Sequence, residues 1–253
     1  MEYEFRDLLK ADDVELEQQI NEGFTFGGFD TTKHGWFLVD RSAPTPNEKE
    51  LTESVPYMNG SFDFSIFNDE RYFDNRELSY KFIMPSDEYI NRKSMEQEIK
   101  RKLVPLQQQA LYDTHDNGYH WMAKVKSIEV EDDSQYNKLT ASIVFDAYPF
   151  AIINDTEGAD IWDDVYFPHW IFQKTKYEVN GTTSIDLYNM GSKVVSPKMI
   201  VTGNVTVSKG SLSMDLTDGS YEDTKLVLIK NHNNIVLSGK GTIEFKYNRE
   251  EMI

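Results

Sequence analysis

Cysteine is absent from the 253 residues, which excludes a disulfide framework, thiolate-held zinc or iron–sulfur centres and a thiol nucleophile. Positive charge is scarce. Lysine and arginine number 26 against 43 aspartates and glutamates, a net charge of -17. No basic run offers a phosphate-binding stripe, so tight binding to a nucleic-acid backbone is disfavoured. No apolar stretch reaches the roughly 18 residues that an ordinary membrane-spanning helix needs. Met1 to Asp13 lacks the basic start and apolar core of a secretory signal. The expectation is a soluble, acidic protein made in the cytoplasm, long enough to bury a core without staples.

Catalytic patterns are missing as well. There is no GxSxG elbow, no GxxxxGK[ST] phosphate loop and no GxGxxG turn, which removes support for acyl transfer, nucleotide hydrolysis and dinucleotide binding. The five histidines form neither HExxH nor a paired-histidine motif. Asp113 to His120 superficially resembles a calcium loop, with Gly118 sixth, but His115 is third and Lys124 stands twelfth, where a bidentate acid belongs. Adjacent acids such as Asp132-Asp133 and Asp163-Asp164 read as solvated surface. No catalytic residue, cofactor or metal is expected.

What is present is a strand-rich pattern: 14 tyrosines and 15 phenylalanines beside 14 glycines and 8 prolines suit pleated, half-buried faces. Residues 1–22 hold eight acids and two bases and read as an acidic arm. From Phe24 apolar alternation begins, at Phe24-Thr-Phe26, Trp36 to Val39 and Glu77 to Met84. Between Arg92 and Gln109 the period changes: Met95, Ile99, Leu103 and Leu106 mark one helix, with Ser94 and Gln97 as a capping box and Pro105 at its end. Asn117-Gly118 predicts a hairpin between Leu111–Asp113 and Tyr119–Val125, and Lys138 to Phe145 alternates again.

Past residue 150 short runs at 184–188, 199–202, 212–216, 225–229, 235–237 and 242–247, punctuated by Gly181, Gly203, Gly210, Gly219 and Gly239, predict an antiparallel sandwich. The fold class is therefore mainly β with one main helix, divided as an arm over 1–23, a first domain over 24–150 and a second over 151–253. Residues 1–149 carry a net charge of -13 and 150–253 a net charge of -4. In the second part Trp162, Tyr166 and Trp170 beside carboxylates suit either burial or a sugar-stacking platform. The latter supports an alternative reading, a carbohydrate-binding module for host-wall polysaccharide.

The order of phrases from Phe24 onward resembles the distal tail protein (Dit) family of phages with long non-contractile tails, of the kind that infect Gram-positive bacteria and carry a baseplate. The resemblance rests on Phe24-Thr-Phe-Gly-Gly-Phe-Asp30, Gly35 to Val39, Ser42-Ala-Pro-Thr-Pro46, Val55-Pro-Tyr-Met-Asn-Gly-Ser-Phe-Asp63 and Tyr72 to Leu78. Further along it rests on Tyr119 to Lys124, Phe145-Asp-Ala-Tyr-Pro-Phe150, Tyr188-Asn-Met-Gly191 and Ser196-Pro-Lys-Met-Ile-Val-Thr-Gly203. Tyr57-Met58 departs from the glycine and basic residue more usual before Asn59-Gly60.

The resemblance implies a ring-forming first domain, a galectin-like second domain and a structural role in the virion. It implies a homohexamer between the tail tube protein and the tail-tip or tail-associated protein, with baseplate or receptor-binding proteins docked outside. DNA would pass through the central channel without specific binding, and nothing would insert into a membrane. Pro56, Asn59, Gly60, Asp63, Asn189, Gly191, Pro197 and Gly203 are the motif positions expected to be structural or inter-subunit. Leu78 to Met84 and Thr140 to Phe145 are the expected exposed strands for pairing across subunits. An acidic channel wall would repel phosphates during genome ejection.

Overall fold

The computed structural model describes residues 22–67, 70–86, 88–158 and 173–253. It is mostly β, with one main helix and two larger sheets, and every strand pair is antiparallel.

The chain enters as β1 (Phe24–Phe26) and β2 (Phe29–Asp30), joined by Gly27 and Gly28 at φ 57° and 79°. Two consecutive positive φ values are what a tight two-residue hairpin requires, and glycine supplies them without strain. After a 3-10 turn at Thr31–Lys33 comes β3 (Phe37–Ser42). Four two-residue strands follow: β4 (Thr52–Glu53), β5 (Phe62–Asp63), β6 (Ile66–Phe67) and β7 (Glu70–Arg71). Next are β8 (Arg76–Pro85), α1 (Tyr89–Leu103), β9 (Gln109–Asp113), β10 (Tyr119–Asp133), β11 (Lys138–Ala147) and β12 (Ala151–Ile153).

The first sheet runs in the order β2-β1-β9-β10-β11-β8-β3, with β12 also paired to β10. In β8 the alternation is complete: Leu78, Tyr80, Phe82 and Met84 are buried while Glu77, Lys81 and Pro85 face out. The sheet folds over its own apolar face. Phe24 of β1 lies 5.0 Å, ring centre to ring centre, from Tyr80 and 5.1 Å from Phe145 of β11, and Trp36 meets Phe82 edge-on at 5.4 Å. Such tilted aromatic contacts add about 0.5–1.5 kcal/mol each to burial itself. The strands expected to be exposed are interior ones, since β8 lies between β11 and β3, and β11 between β10 and β8. Both bury a residue at every second position, a pattern that fixes which face is covered and leaves open whether one edge or both are paired.

The helix starts three residues before Arg92. Its first-turn cap is Glu88, which makes no side-chain capping bond; Ser94 sits within the helix, so the Ser94–Gln97 box does not mark its start. The guanidinium of Arg92 fastens the first turn instead, donating to Asp132 at 2.5 Å and to the Ser86 carbonyl at 2.7 Å. Helix geometry ends at Leu103, two residues before Pro105, whose ring and missing N–H prevent continuation. Ile99 and Leu103 seat the helix on the first core.

The second sheet comprises β13 (Lys176–Asn189), β14 (Lys198–Lys209), β15 (Leu212–Leu216), β16 (Gly219–Tyr221) and β17 (Asn231–Lys246), in the order β13-β17-β14-β15 with β16 on β14. Three of the glycines read as turns lie inside long strands. Gly181 faces Gly239 and Gly203 faces Gly241 in the ladder, so the runs at 235–237 and 242–247 are two halves of one strand. A Cβ at Gly239 would fall 2.3 Å from the Asn204 carbonyl oxygen, and one at Gly203 would fall 2.5 Å from that of Lys240. Glycine here permits close backbone approach. The run at 225–229 forms no strand; a single bridge joins Leu228 to Val195, while Leu226 and Leu228 are buried in the second core.

The last strand, β18 (Glu250–Glu251), returns to the first sheet and pairs with β12. The first sheet thus takes in residues 151–153 and 250–251, on the far side of the division expected near residue 150. Side chains reinforce this junction. Arg249 meets Glu157 at 2.5 Å with both side chains nearly excluded from water, the Tyr119 hydroxyl donates to Glu251 at 3.0 Å, and that of Tyr148 donates to Glu250 at 2.7 Å. Burial pushes the Glu157 carboxyl above its ordinary range, with Arg249 pulling the other way.

Candidate functional site

Between β3 and β8 the chain leaves the first sheet and builds an arm. Its root is closed by backbone bonds from Lys49 N to Tyr72 O at 2.8 Å and from Asp74 N to Asn47 O at 2.9 Å, and by Arg71 donating to Glu48 at 2.7 Å. Farther out β4 pairs β5 and β6 pairs β7, and Ser65 Oγ accepts from Leu51 N at 2.8 Å. The segment is ordered by its own hydrogen bonds, yet it leaves Leu51, Val55, Phe62, Phe64 and Ile66 about half exposed and Tyr57 wholly exposed. Ordered, contiguous, exposed apolar side chains are the mark of a contact surface.

The tip is a turn in which Met58 N donates to Val55 O at 3.1 Å, with Pro56 leading it and Tyr57 at φ 68°. Proline in the first central position and positive φ in the second is a combination that favours glycine in the second. Tyr57 holds this left-handed conformation at a cost of roughly 1–2 kcal/mol. Beside the arm, β3 is an edge strand among the described residues: it pairs there with β8 alone and leaves Phe37 and Val39 exposed.

Under the same edge lies a buried charged cluster. Asp113, whose side chain is fully buried, accepts from Arg41 Nε at 2.6 Å, from the Tyr80 hydroxyl at 2.7 Å and from His115 N at 2.9 Å. Arg41 also grips Asp116. Burial raises the Asp116 carboxyl, and Arg41 opposes the shift. Burial would lower the Arg41 guanidinium, but Asp113 and Asp116 outweigh it and keep it charged. Burial, with Asp113 adding to it, pushes the Tyr80 phenol well above its usual range. These bonds commit the Asp113 carboxylate to closing the fold at the hairpin base. Among the described residues no group of three or more His, Asp or Glu is placed to hold a metal ion.

The motif positions separate into two sets. Pro56, Asn59, Gly60 and Asp63 are exposed on the arm, Asp63 accepting from Ser65 N at 2.8 Å. Asn189, Gly191 and Pro197 are buried. Asn189 Nδ2 donates to the carbonyls of Lys193 and Leu228 at 2.8 and 3.2 Å, and its Oδ1 accepts from Gly191 N at 3.0 Å. Gly191 packs on the junction, where a Cβ would lie 2.9 Å from Glu250 O. Gly203 lies within β14. Trp162, Tyr166 and Trp170 fall outside the described residues.

This architecture of two antiparallel sheets, one helix and a C-terminal return strand overlies the crystal structure of SPP1 Dit (gp 19.1) with a TM-score of 0.62, covering 90% of this chain and 98% of that one at 10% identity. The chain has the fold of SPP1 Dit. That protein is described as a paradigm of the hub adsorption apparatus in phages that infect Gram-positive bacteria. Chains of the phage p2 baseplate in its activated conformation, with Sr and with Ca, overlap at TM-scores of 0.40 and 0.39 and 7% identity, over 89% and 86% of this chain and 93% and 92% of theirs. Those scores are too low to bear on architecture. No protein-family model and no curated protein matches the chain by sequence.

Two features of the Dit-like fold escape sequence reasoning. The Arg41–Asp113–Tyr80 cluster joins residues 33 to 72 positions apart, which no local spacing reveals. The arm's exposure is equally hidden, because its phenylalanines are spaced as core residues are.

Proposed function

We propose that this chain is a non-catalytic structural protein of a phage virion, a distal tail hub that joins the tail tube to the tail tip and carries adhesion proteins. The observation that supports it is the fold shared with SPP1 Dit along nearly the whole length of both chains. In this reading residues 24–150 form a ring of six copies, residues 151–253 form a galectin-like sandwich that serves as a docking platform, and residues 1–23 are an acidic arm. The protein is assembled in the host cytoplasm and resides at the distal end of the tail.

The exposed arm between β3 and β8 fits that role, since a closed ring makes heterologous contacts and each copy must offer a surface that its neighbour covers. Pro56, Asn59, Gly60 and Asp63 are accordingly inter-subunit positions. Asn189, Gly191, Pro197 and Gly203 shape the platform and its junction. Acidic side chains on the ring's inner wall keep departing DNA from sticking, and replacing wall carboxylates with lysine should slow genome ejection.

Light scattering of the purified protein across a concentration series, followed by electron microscopy, tests the ring. Six-membered rings, single or back to back, are the expected result. A monomer at every concentration, alone and with tail tube protein added, would overturn it.

A further inference from the structure

We propose that the arm between β3 and β8 of one copy docks on the end of α1 in the next copy, its apolar side chains covering Val104 and the carboxylates of Glu50 and Glu53 facing Lys100 and Arg101. This rests on the ring reading above and names the two surfaces that meet.

The occupant follows from charge. A chain of net charge -17 repels its own copies, so a self-contact has to be built where the charge reverses. Lys100-Arg101-Lys102 is the one run of three consecutive basic residues in the sequence. Lys100 and Lys102 are each held by a glutamate one turn earlier, at 2.7 and 2.6 Å, and Arg101 is exposed. Val104, immediately beyond, is exposed and apolar.

The arm is the converse. Glu48, Asp74 and Glu70 are paired with Arg71, Lys49 and Lys230, whereas among the described residues the exposed Glu50 and Glu53 have no cationic partner and Asp63 has Ser65 alone. These three carboxylates lie among Leu51, Val55, Phe62 and Phe64. An apolar patch rimmed with negative charge on one surface, and an apolar residue beside a basic triplet on another, meet the requirement of a heterologous ring for two unlike, complementary faces. Apolar burial supplies the affinity, and the rim charges set partner and register.

The test uses the full-length protein and three variants: Arg101→Glu; Glu50→Lys with Glu53→Lys; and all three changes together. All three positions are exposed, and an unchanged melting temperature of the monomer confirms that each variant folds. The concentration at half-assembly is read by light scattering at low and moderate salt. Each one-sided variant should raise it roughly tenfold, and the combined variant should recover most of the loss. Wild-type rings that persist in both one-sided variants would overturn this pairing and leave the hub reading standing. Loss without recovery in the combined variant would overturn it too, since the two surfaces would then meet something other than each other. A wild type that never self-associates removes the ring and this contact together.

Discussion

The two sheets of this protein solve the same burial problem with different side chains. Phe24, Phe26, Phe29, Trp36, Tyr80, Phe82, Trp121 and Phe145 fill the first core, whereas Leu187, Val201, Val205, Val207, Ile235, Leu237 and Ile243 dominate the second. The first folds over itself, and its rings meet across the fold in tilted and edge-on contacts. The second uses long strands whose glycines let the backbones approach closely. Surface character differs in parallel: among the described residues, eight of the 21 exposed large apolar side chains fall between Leu51 and Tyr72. The difference teaches that the first region concentrates exposed apolar surface in one segment, while the second keeps most of its apolar side chains inside.

Trp121→Ala should give the largest effect, a loss of about 3–5 kcal/mol from the first core. Because Tyr247 belongs to the second core while Glu251 is bonded to Tyr119 of the first, urea unfolding is expected to stay a single transition. Two separated transitions, only one of them shifted, would divide the regions more deeply than the junction suggests. Gly239→Ala should cost about 2–3 kcal/mol, a loss traced to the backbone; an unchanged urea midpoint would mean that β14 and β17 can part without penalty.

Tyr57→Gly has the opposite sign. It relieves the left-handed strain at the arm's tip and should raise monomer stability by about 1 kcal/mol, while weakening assembly in the same light-scattering assay. A gain in stability with assembly intact would show that the tip lies outside the contact.

The smallest effect concerns pH. Burial raises the folded-state pKa of Glu157 above its ordinary 4.5, so the stability it contributes is full below that value and is lost as pH rises through the raised one. Glu157→Gln has no such titration. Urea midpoints at pH 4.5 and 7 should therefore show the wild type losing more stability than the variant across that window, and equal losses would place the shift elsewhere.

Much of the first sheet was legible because β8 and β11 obey strict alternation, and the Asn117-Gly118 turn between β9 and β10 has a chemical signature. The helix was legible in its middle, from Met95, Ile99 and Leu103. Its start was not, because the tie that holds it is Arg92 to Asp132, 40 residues away. Glycines misled where turning was not their reason: Gly181, Gly203 and Gly239 read as punctuation and are ladder positions, Gly203 and Gly239 for close backbone approach and Gly181, in open space, for its positive φ. Edge and interior strands look alike to any local pattern, since both carry period-two burial and differ only in which distant strand lies alongside. The candidate site was half legible. Val55 to Asp63 stood out through its turn residues, but exposure of Phe62 and Phe64 is a property of the fold.

The pairing of β12 with β18 places Ala151 opposite Glu251 and Ile152 opposite Glu250, so the chain leaves for the second sheet and comes back at neighbouring positions about 5 Å apart. To the first sheet, everything between those strands is a loop with a closed mouth. Such a mouth sets only where the chain leaves and returns, so a change in length or shape of what lies beyond it leaves the register of the first sheet as it is.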